Sequence, residues 1–312
     1  MSLVINHNMM AMNAARNLSA AYSRLSTSTR RLSSGLRVGT AADDAAGLAI
    51  RELMRADIAS INQGIRNAND AISLIQTADG ALQVIDEKLI RMKELAEQAA
   101  TGTYTSDQRL IIDSEYQAMA SEITRIANAT DFNGIYLLNG NLSSARTNPA
   151  EWGLDHNGSV LNPTGSLKIH FGTGNDSAED YYYIAIGAAT ASAFGLGNNA
   201  DINASNYIGG YSISTQEEAQ KALDAINAAI VSKDKIRAAL GALQNRLQNT
   251  ITNLSIQAEN LQAAESRISD VDVATEMTNF VRNQILTQSA VAMLAQANSL
   301  PRMAMQLIGG GM

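Results

Sequence analysis

Cysteine is absent from all 312 residues, which excludes disulfides, thiolate metal sites and cysteine nucleophiles. Proline is nearly absent: Pro149, Pro163 and Pro301 are the only three, and none falls between Asp43 and Asn128 or between Thr215 and Ile268. Both tracts are therefore free to form long helices. Aromatics make up 4% of the chain although apolar residues make up 46%. Ala, Leu, Ile and Met carry that apolar content, the balance of long helices rather than of a compact aromatic core. No apolar run approaches the ~20 residues of a membrane span, so membrane insertion is not expected. The first cation is Arg16, and Asn6, His7 and Asn8 interrupt the opening apolar residues, unlike a cleavable secretory signal. Composition alone makes a soluble cytosolic protein the default expectation.

Catalytic patterns are missing as well. There is no G-x-S-x-G, Walker-type or dinucleotide glycine motif. The three histidines, His7, His156 and His170, share no ligand spacing on one helix. No enzyme activity, cofactor or metal is expected. Asp43 and Asp44 stand at a predicted helix start and read as caps rather than as a catalytic pair. Asp176, Glu179 and Asp180 with Asn175 read as a solvated acidic loop rather than a cation site. The net charge is -7, yet residues 1–40 hold Arg16, Arg24, Arg30, Arg31 and Arg37 and no acid. These arginines are spread along an amphipathic pattern without aromatic partners, so nucleic acid is not an expected partner.

What is present is a seven-residue apolar repeat at both ends of the chain. Leu240, Leu247, Leu254, Leu261 and Ile268 recur every seventh residue, with Leu243, Ala264 and Val271 in the companion register. Such a seam needs a partner helix. Thr250 and Gln257 interrupt the companion register, which points to a bundle rather than a dimeric zipper. A matching seam runs through Ile58, Ile61, Ile65, Ala68, Ile72 and Ile75 and resumes at Ala78, Leu82, Ile85, Leu89 and Met92. The step from Ile75 to Ala78 is a stammer that locally overwinds a supercoil. A single helix over 44–98 would be about 80 Å long, the dimension of a rod.

A third helix is predicted from Thr105, which forms a capping-box pattern with Gln108, through Ile112, Tyr116, Met119, Ile123 and Ile126. Asp131, Phe132, Asn133 and Gly134 end it in a turn. Thr215 with Glu218 opens the returning long helix. Residues 141–214 differ in kind, holding ten of the 22 glycines and eight of the 14 aromatics. Leu167, Ile169, Phe171 and Tyr182, Ile184, Ile186 alternate as strands do.

The extreme ends carry weaker repeats. Ala11, Leu18, Leu25 and Leu32 recur with Ala15, Tyr22 and Leu36 beside them, and Leu286, Met293, Leu300 and Leu307 do the same at the far end. Asn, Ser and Thr flank both seams, so both ends are expected to be largely disordered in the free monomer, with the missing burial supplied by pairing with each other and with neighbouring subunits. Gly35 and Gly39 frame an expected hinge. The predicted fold class is mainly α: a long antiparallel helical coiled-coil or bundle rod built from both chain ends, with a small β-rich inserted domain. The expected domains are 1–42 with 270–312, 43–140 with 215–269, and 141–214.

The run RLSSGLRVGTAADDAAGLAI, Arg31 to Ile50, resembles the N-terminal signature of bacterial flagellins. SRISDVDVATEMTNFVRNQILTQSAVAMLAQAN, Ser266 to Asn298, is similar to their C-terminal one. INQGIRNANDAISLIQTADGAL, Ile61 to Leu82, and TDFNGIYLLNG, Thr130 to Gly140, match between them. The resemblance implies a secreted structural subunit that polymerises into the flagellar filament for swimming motility. In that family the chain ends pair as an inner tube, the long helices form an outer tube, and the variable insert projects outward. It further implies type III export without a cleavable signal, and as partners many copies of the chain itself, an export chaperone, and cap and hook-junction proteins. Some flagellins carry an HExxH zinc peptidase in the insert, and residues 141–214 contain no such motif. LIRMKELAEQA, Leu89 to Ala99, with Glu115 resembles the stretch by which many flagellins engage the flagellin-sensing Toll-like receptor. Arg91, Leu95 and Glu115 occupy the matching positions, where stem contacts to the next subunit are the competing role. A hook-filament junction protein, or an adhesin or immune-active module acting through the insert, are the alternative expectations.

Overall fold

The structure is a computed structural model, and it describes residues 8–142, 165–176, 179–198 and 209–309, the side chains of 304, 305 and 307–309 excepted. Along the chain come α1 (Met9–Ser34), α2 (Ala45–Ala100), α3 (Ser106–Ala129), β1 (Asp131–Phe132), β2 (Ile135–Tyr136), β3 (Leu167–His170), β4 (Tyr181–Ile184), α4 (Gln216–Ser269) and α5 (Val273–Gly309). The class is mainly α, and the strands form two small antiparallel pairs, β1 with β2 and β3 with β4. Two compact units result, residues 1–58 with 259–312, and residues 59–258; both borders fall inside helices, α2 and α4.

Within the 59–258 unit the expected seam becomes the core. Leu82, Ile85, Leu89 and Met92 of α2 are fully buried, in one cluster with Tyr116 and Ile123 of α3 and Ile226, Leu240 and Leu247 of α4. Each such side chain contributes about 1.5–3 kcal/mol on full burial. Ile61 and Leu254 are buried too, whereas Ile65 and Ile72 are half-buried. Ala71 and Leu74 are buried in place of Ile72. A two-helix seam has a narrow apolar stripe, but α2 shares its core with α3, α4 and the 184–196 segment, so its buried arc is wider.

Local chemistry sets the element ends. Thr105 and Gln108 make both halves of a capping box at α3. Thr215 Oγ1 accepts from the Glu218 N–H at 3.3 Å at the start of α4. The Asp131–Gly134 turn is the tip of the β1–β2 hairpin, with Asn133 at φ 53° and Gly134 at φ 80°, the left-handed pair that a two-residue turn demands. The β3–β4 hairpin lies on α2, where Asn67 Nδ2 donates to the His170 carbonyl at 2.9 Å. Gly64 allows that approach, because a Cβ there would collide with the Phe171 carbonyl.

Charge pairs tie α4 to α2. Arg237 Nε donates to Asp79 Oδ1 at 2.7 Å, and Lys233 Nζ lies 2.5 Å from Asp86 Oδ1 and 2.8 Å from Asp234 Oδ1. The Lys233 side chain is only 2% exposed. Burial works against its charge, but hydrogen bonds to Asp234 and Asp86 outweigh that effect and hold its pKa above the ordinary 10.5. A raised folded-state pKa means the stabilisation is complete below pH 10.5 and is lost as pH climbs through the raised value. Lys233→Met is expected to cost about 2 kcal/mol in denaturant melts near neutral pH, since it leaves Asp86 without its buried partner. The difference from wild type should shrink in strongly alkaline buffer.

Candidate functional site: the paired terminal helices

In the unit formed by residues 1–58 and 259–312, α1 and α5 pair antiparallel. Asn8 Nδ2 donates to the Ala297 carbonyl at 2.8 Å near one end, and Arg31 lies 3.8 Å from Glu276 near the other. Helix covers 26 residues in α1 and 37 in α5, and each end serves as the other's partner, the pairing expected to supply burial. Intramolecular pairing supplies the burial that an isolated amphipathic helix lacks.

The composition of that seam is unusual. Its buried residues are small or polar: Ala21, Ser28, Glu276, Thr287 and Ala297. Leu18, Leu25, Leu32 and Leu300 are only half-buried. Phe280 and Leu294 are half-buried as well, while other large apolar side chains are exposed, Tyr22 at 58%, Leu286 at 45%, Met293 at 64% and Ile285 at 57%. Leu307 is part of α5, but its side chain lies outside the described residues. A groove of about 610 Å³ on the pair is lined by Met10, Asn13, Asn17, Leu286 and Met293.

The links next to this pair are tightly bonded. Gly35 closes α1 at φ 74°, its N–H donating to the Arg31 carbonyl at 2.8 Å. Its own carbonyl accepts from the Val271 N–H at 3.0 Å, and the Arg37 N–H donates to the Ser269 carbonyl at 2.7 Å. Arg37 Nη2 adds a bond to the Ile268 carbonyl at 2.8 Å. Arg51, buried on α2, donates to the Val38 carbonyl at 2.6 Å. Sequence pattern named Arg37 only as one of the N-terminal arginines and did not name Arg51, because their partners are backbone carbonyls that carry no residue signature. Of the two expected hinge glycines, Gly35 occupies a left-handed position while Gly39 does not.

Asp44 caps α2, accepting from the Gly47 N–H at 3.0 Å. Asp43 does different work, bonding Thr40 and pairing with Arg30 at 2.7 Å. The Thr40 hydroxyl, with Thr40 N–H and Arg30, lowers its pKa. Asp272 caps α5 through the Ala274 N–H at 3.0 Å, and the Thr275 hydroxyl donates to it at 2.7 Å, which lowers its pKa.

In the 59–258 unit, Arg91 donates through Nη2 to Glu115 Oε1 at 2.8 Å and through Nη1 to Glu94 Oε2 at 2.9 Å, and both Arg91 and Glu115 are about half exposed. Leu95 departs from them: at 2% exposure it belongs to the core and offers no surface. Asp180 accepts from the Asp176 N–H at 2.8 Å, and that bond depresses its carboxyl pKa, so it clamps its own turn. His7 and His156 lie outside the described residues. Among the described residues no group of three or more His, Cys, Asp or Glu is placed to hold a metal, and no helix is long and apolar enough to cross a membrane.

A helical pair that leaves Tyr22, Ile285, Leu286 and Met293 exposed has the kind of apolar surface that helical subunits carry. Comparison with known proteins gives the family. The profile described as bacterial flagellin N-terminal helical region matches residues 5–143, and that described as bacterial flagellin C-terminal helical region matches 223–308. The chain is 40% identical over 306 residues to the flagellar filament 33 kDa core protein of Treponema phagedenis, covering 98% of this chain and 100% of that one. It is likewise 40% identical over 306 residues to a flagellin of Bacillus subtilis, covering 97% and 99%. A putative flagellar hook-associated protein from Vibrio parahaemolyticus shares the fold at a TM-score of 0.52, with 15% identity over 73% of this chain and 100% of that one. The chain belongs to the bacterial flagellin family. It is a structural subunit of the flagellar filament, and its place is extracellular.

The backbone of the α1 link yields a direct comparison. Gly35→Ala should destabilise the terminal helix pair by about 1 kcal/mol, because it places a side chain in the left-handed region. Gly39→Ala should be near neutral. Hydrogen exchange of the α1 and α5 amides distinguishes the two variants.

Proposed function

We propose that polymerisation is driven by the outward apolar face of the α1–α5 pair, with Tyr22, Leu286 and Met293 buried against neighbouring copies and Leu18, Leu25, Leu32, Leu300 and Leu307 supporting them. The observation that carries this reading is the exposure of Tyr22, Ile285, Leu286 and Met293 on a pair whose fully buried residues include Ala21, Ser28 and Thr287. Exposed apolar area of this extent on a water-soluble pair marks an association surface. On this reading the chain works as three parts. Residues 1–42 and 270–312 line the inside of the tube, 43–140 and 215–269 form its outer wall through the seam of Ile61, Ile65, Ile72, Leu240, Leu247, Leu254 and Leu261, and 141–214 face outward. The role is mechanical, without enzymatic activity. Export chaperone, cap and hook-junction proteins are the further partners, engaging the same terminal surfaces before or at the ends of assembly.

Replacing Leu286 by Asp removes one apolar anchor and inserts a charge into the proposed contact. The variant is expected to keep its helical circular dichroism and yet fail to pellet in seeded sedimentation. Normal filaments from Leu286→Asp would overturn the assembly reading.

A second reading concerns the exposed Arg91–Glu115 pair, which presents an ion pair on the outer side of α2 and α3. We infer that this pair, rather than Leu95, contacts the flagellin-sensing Toll-like receptor. Monomer carrying Arg91→Ala and Glu115→Ala together should lose about tenfold or more in a receptor reporter assay, since a charged pair at an interface contributes on this scale. Full activity would rule the contact out.

A further inference from the structure

The methionines of this chain are partitioned by location. Met92 of α2 is fully buried, and Met54 and Met119 are half-buried. Met9, Met10, Met12, Met277, Met293 and Met303 are 45–64% exposed, and all six belong to α1 or α5. Among the described residues, exposed thioether is therefore confined to the terminal helices. The chain has no cysteine, so no thiol competes for an oxidant. Met10 and Met293 also line the apolar groove on the helix pair.

We propose that these methionines are a sulfoxidation site that controls assembly: peroxide oxidises them in the free subunit and blocks polymerisation, and the assembled filament shields them. The inference rests on the reading that the outward face of α1 and α5 polymerises. In the reaction a thioether sulfur lone pair attacks one peroxide oxygen, an S–O bond forms and the O–O bond breaks. Sulfur loses two electrons and the peroxide gains them. The departing hydroxide takes the proton from the transferred oxygen and leaves as water. The product is a polar, chiral sulfoxide in place of a flexible apolar group, which disrupts Met-rich contacts. Burial of that group in a subunit contact then costs the desolvation of a strong acceptor. The change is reversible, because methionine sulfoxide reductases return the sulfur to thioether.

The experiment treats purified full-length subunit and preformed filaments with hydrogen peroxide in parallel. Peptide mass spectrometry should show Met10 and Met293 oxidised in the free subunit, with Met92 spared, and both protected in filaments. Seeded sedimentation of the oxidised subunit should require a roughly tenfold higher protein concentration, and treatment with the two epimer-specific reductases should restore it. A variant with all six exposed methionines replaced by Leu includes Met293 of the proposed contact, so it is compared only with itself: whatever concentration it needs to pellet should be the same with and without peroxide. Unchanged pelleting of wild-type subunit with sulfoxide verified at Met10 and Met293 would overturn the inference. So would equal oxidation of filament and subunit, or a peroxide effect that persists in the six-leucine variant. Leu286→Asp separates the two readings: if it fails to assemble while sulfoxide-bearing subunit pellets normally, only this inference falls.

Discussion

The constraint on which the rest of the molecule depends is the distribution of side-chain size around α1 and α5. Where α1 and α5 meet, full burial among the described residues is confined to Ala21, Ser28, Glu276, Thr287 and Ala297, and Leu18, Leu25, Leu32 and Leu300 are buried only in part. Tyr22, Ile285, Leu286 and Met293 are left exposed, where burial is incomplete until another surface arrives. On the proposed assembly reading, this incomplete burial within the chain is what favours association between chains.

The unit of residues 59–258 answers the opposite demand. Most of its seam Leu and Ile residues are buried in a cluster shared by three helices and the 184–196 segment, while Ile90, Leu110, Ile111 and Ile256 stay exposed. Polar groups complete the packing rather than interrupt it. Asp113 of α3 accepts from the Ile213 N–H at 2.7 Å, and the Tyr116 hydroxyl donates to the Gly210 carbonyl at 2.8 Å, so the segment leading into α4 is held by side chains of α3. Lys233, with Asp86 and Asp234, places a charge inside this assembly at the cost of desolvation, an arrangement that specifies how α4 aligns on α2. Its surface offers the Arg91–Glu115 ion pair, solvated on both members and screened by salt.

Repeats that depend on local chemistry were legible in advance. The capping box at Thr105, the turn at Asn133–Gly134 and the seam of Leu240, Leu247 and Leu254 are written in residue types whose preferences act over a few positions. Three features were not. Ala71 and Leu74 replaced Ile72 at full burial, because the number of neighbours around α2 is a property of the bundle and not of the heptad. The glycine required at 64 is dictated by the Phe171 carbonyl, more than a hundred residues away in sequence. Asp43, paired with Asp44 as a cap on pattern alone, instead pairs with Arg30, a contact that exists only once α1 has turned back at Gly35.

Composition and periodicity by themselves determined that the chain is mainly helical, that both ends carry amphipathic repeats, and that no thiol or histidine cluster was available for chemistry. Those are properties of spacing and inventory. Which face of each terminal helix is buried was decided by the tertiary structure alone. A narrow seam read along one helix names the apolar residues but not their partner. Direction is set by whatever packs opposite, and here α1 and α5 fully bury Ala21, Ser28, Thr287 and Ala297, half-bury Leu18, Leu25 and Leu300, and leave Leu286 and Met293 exposed.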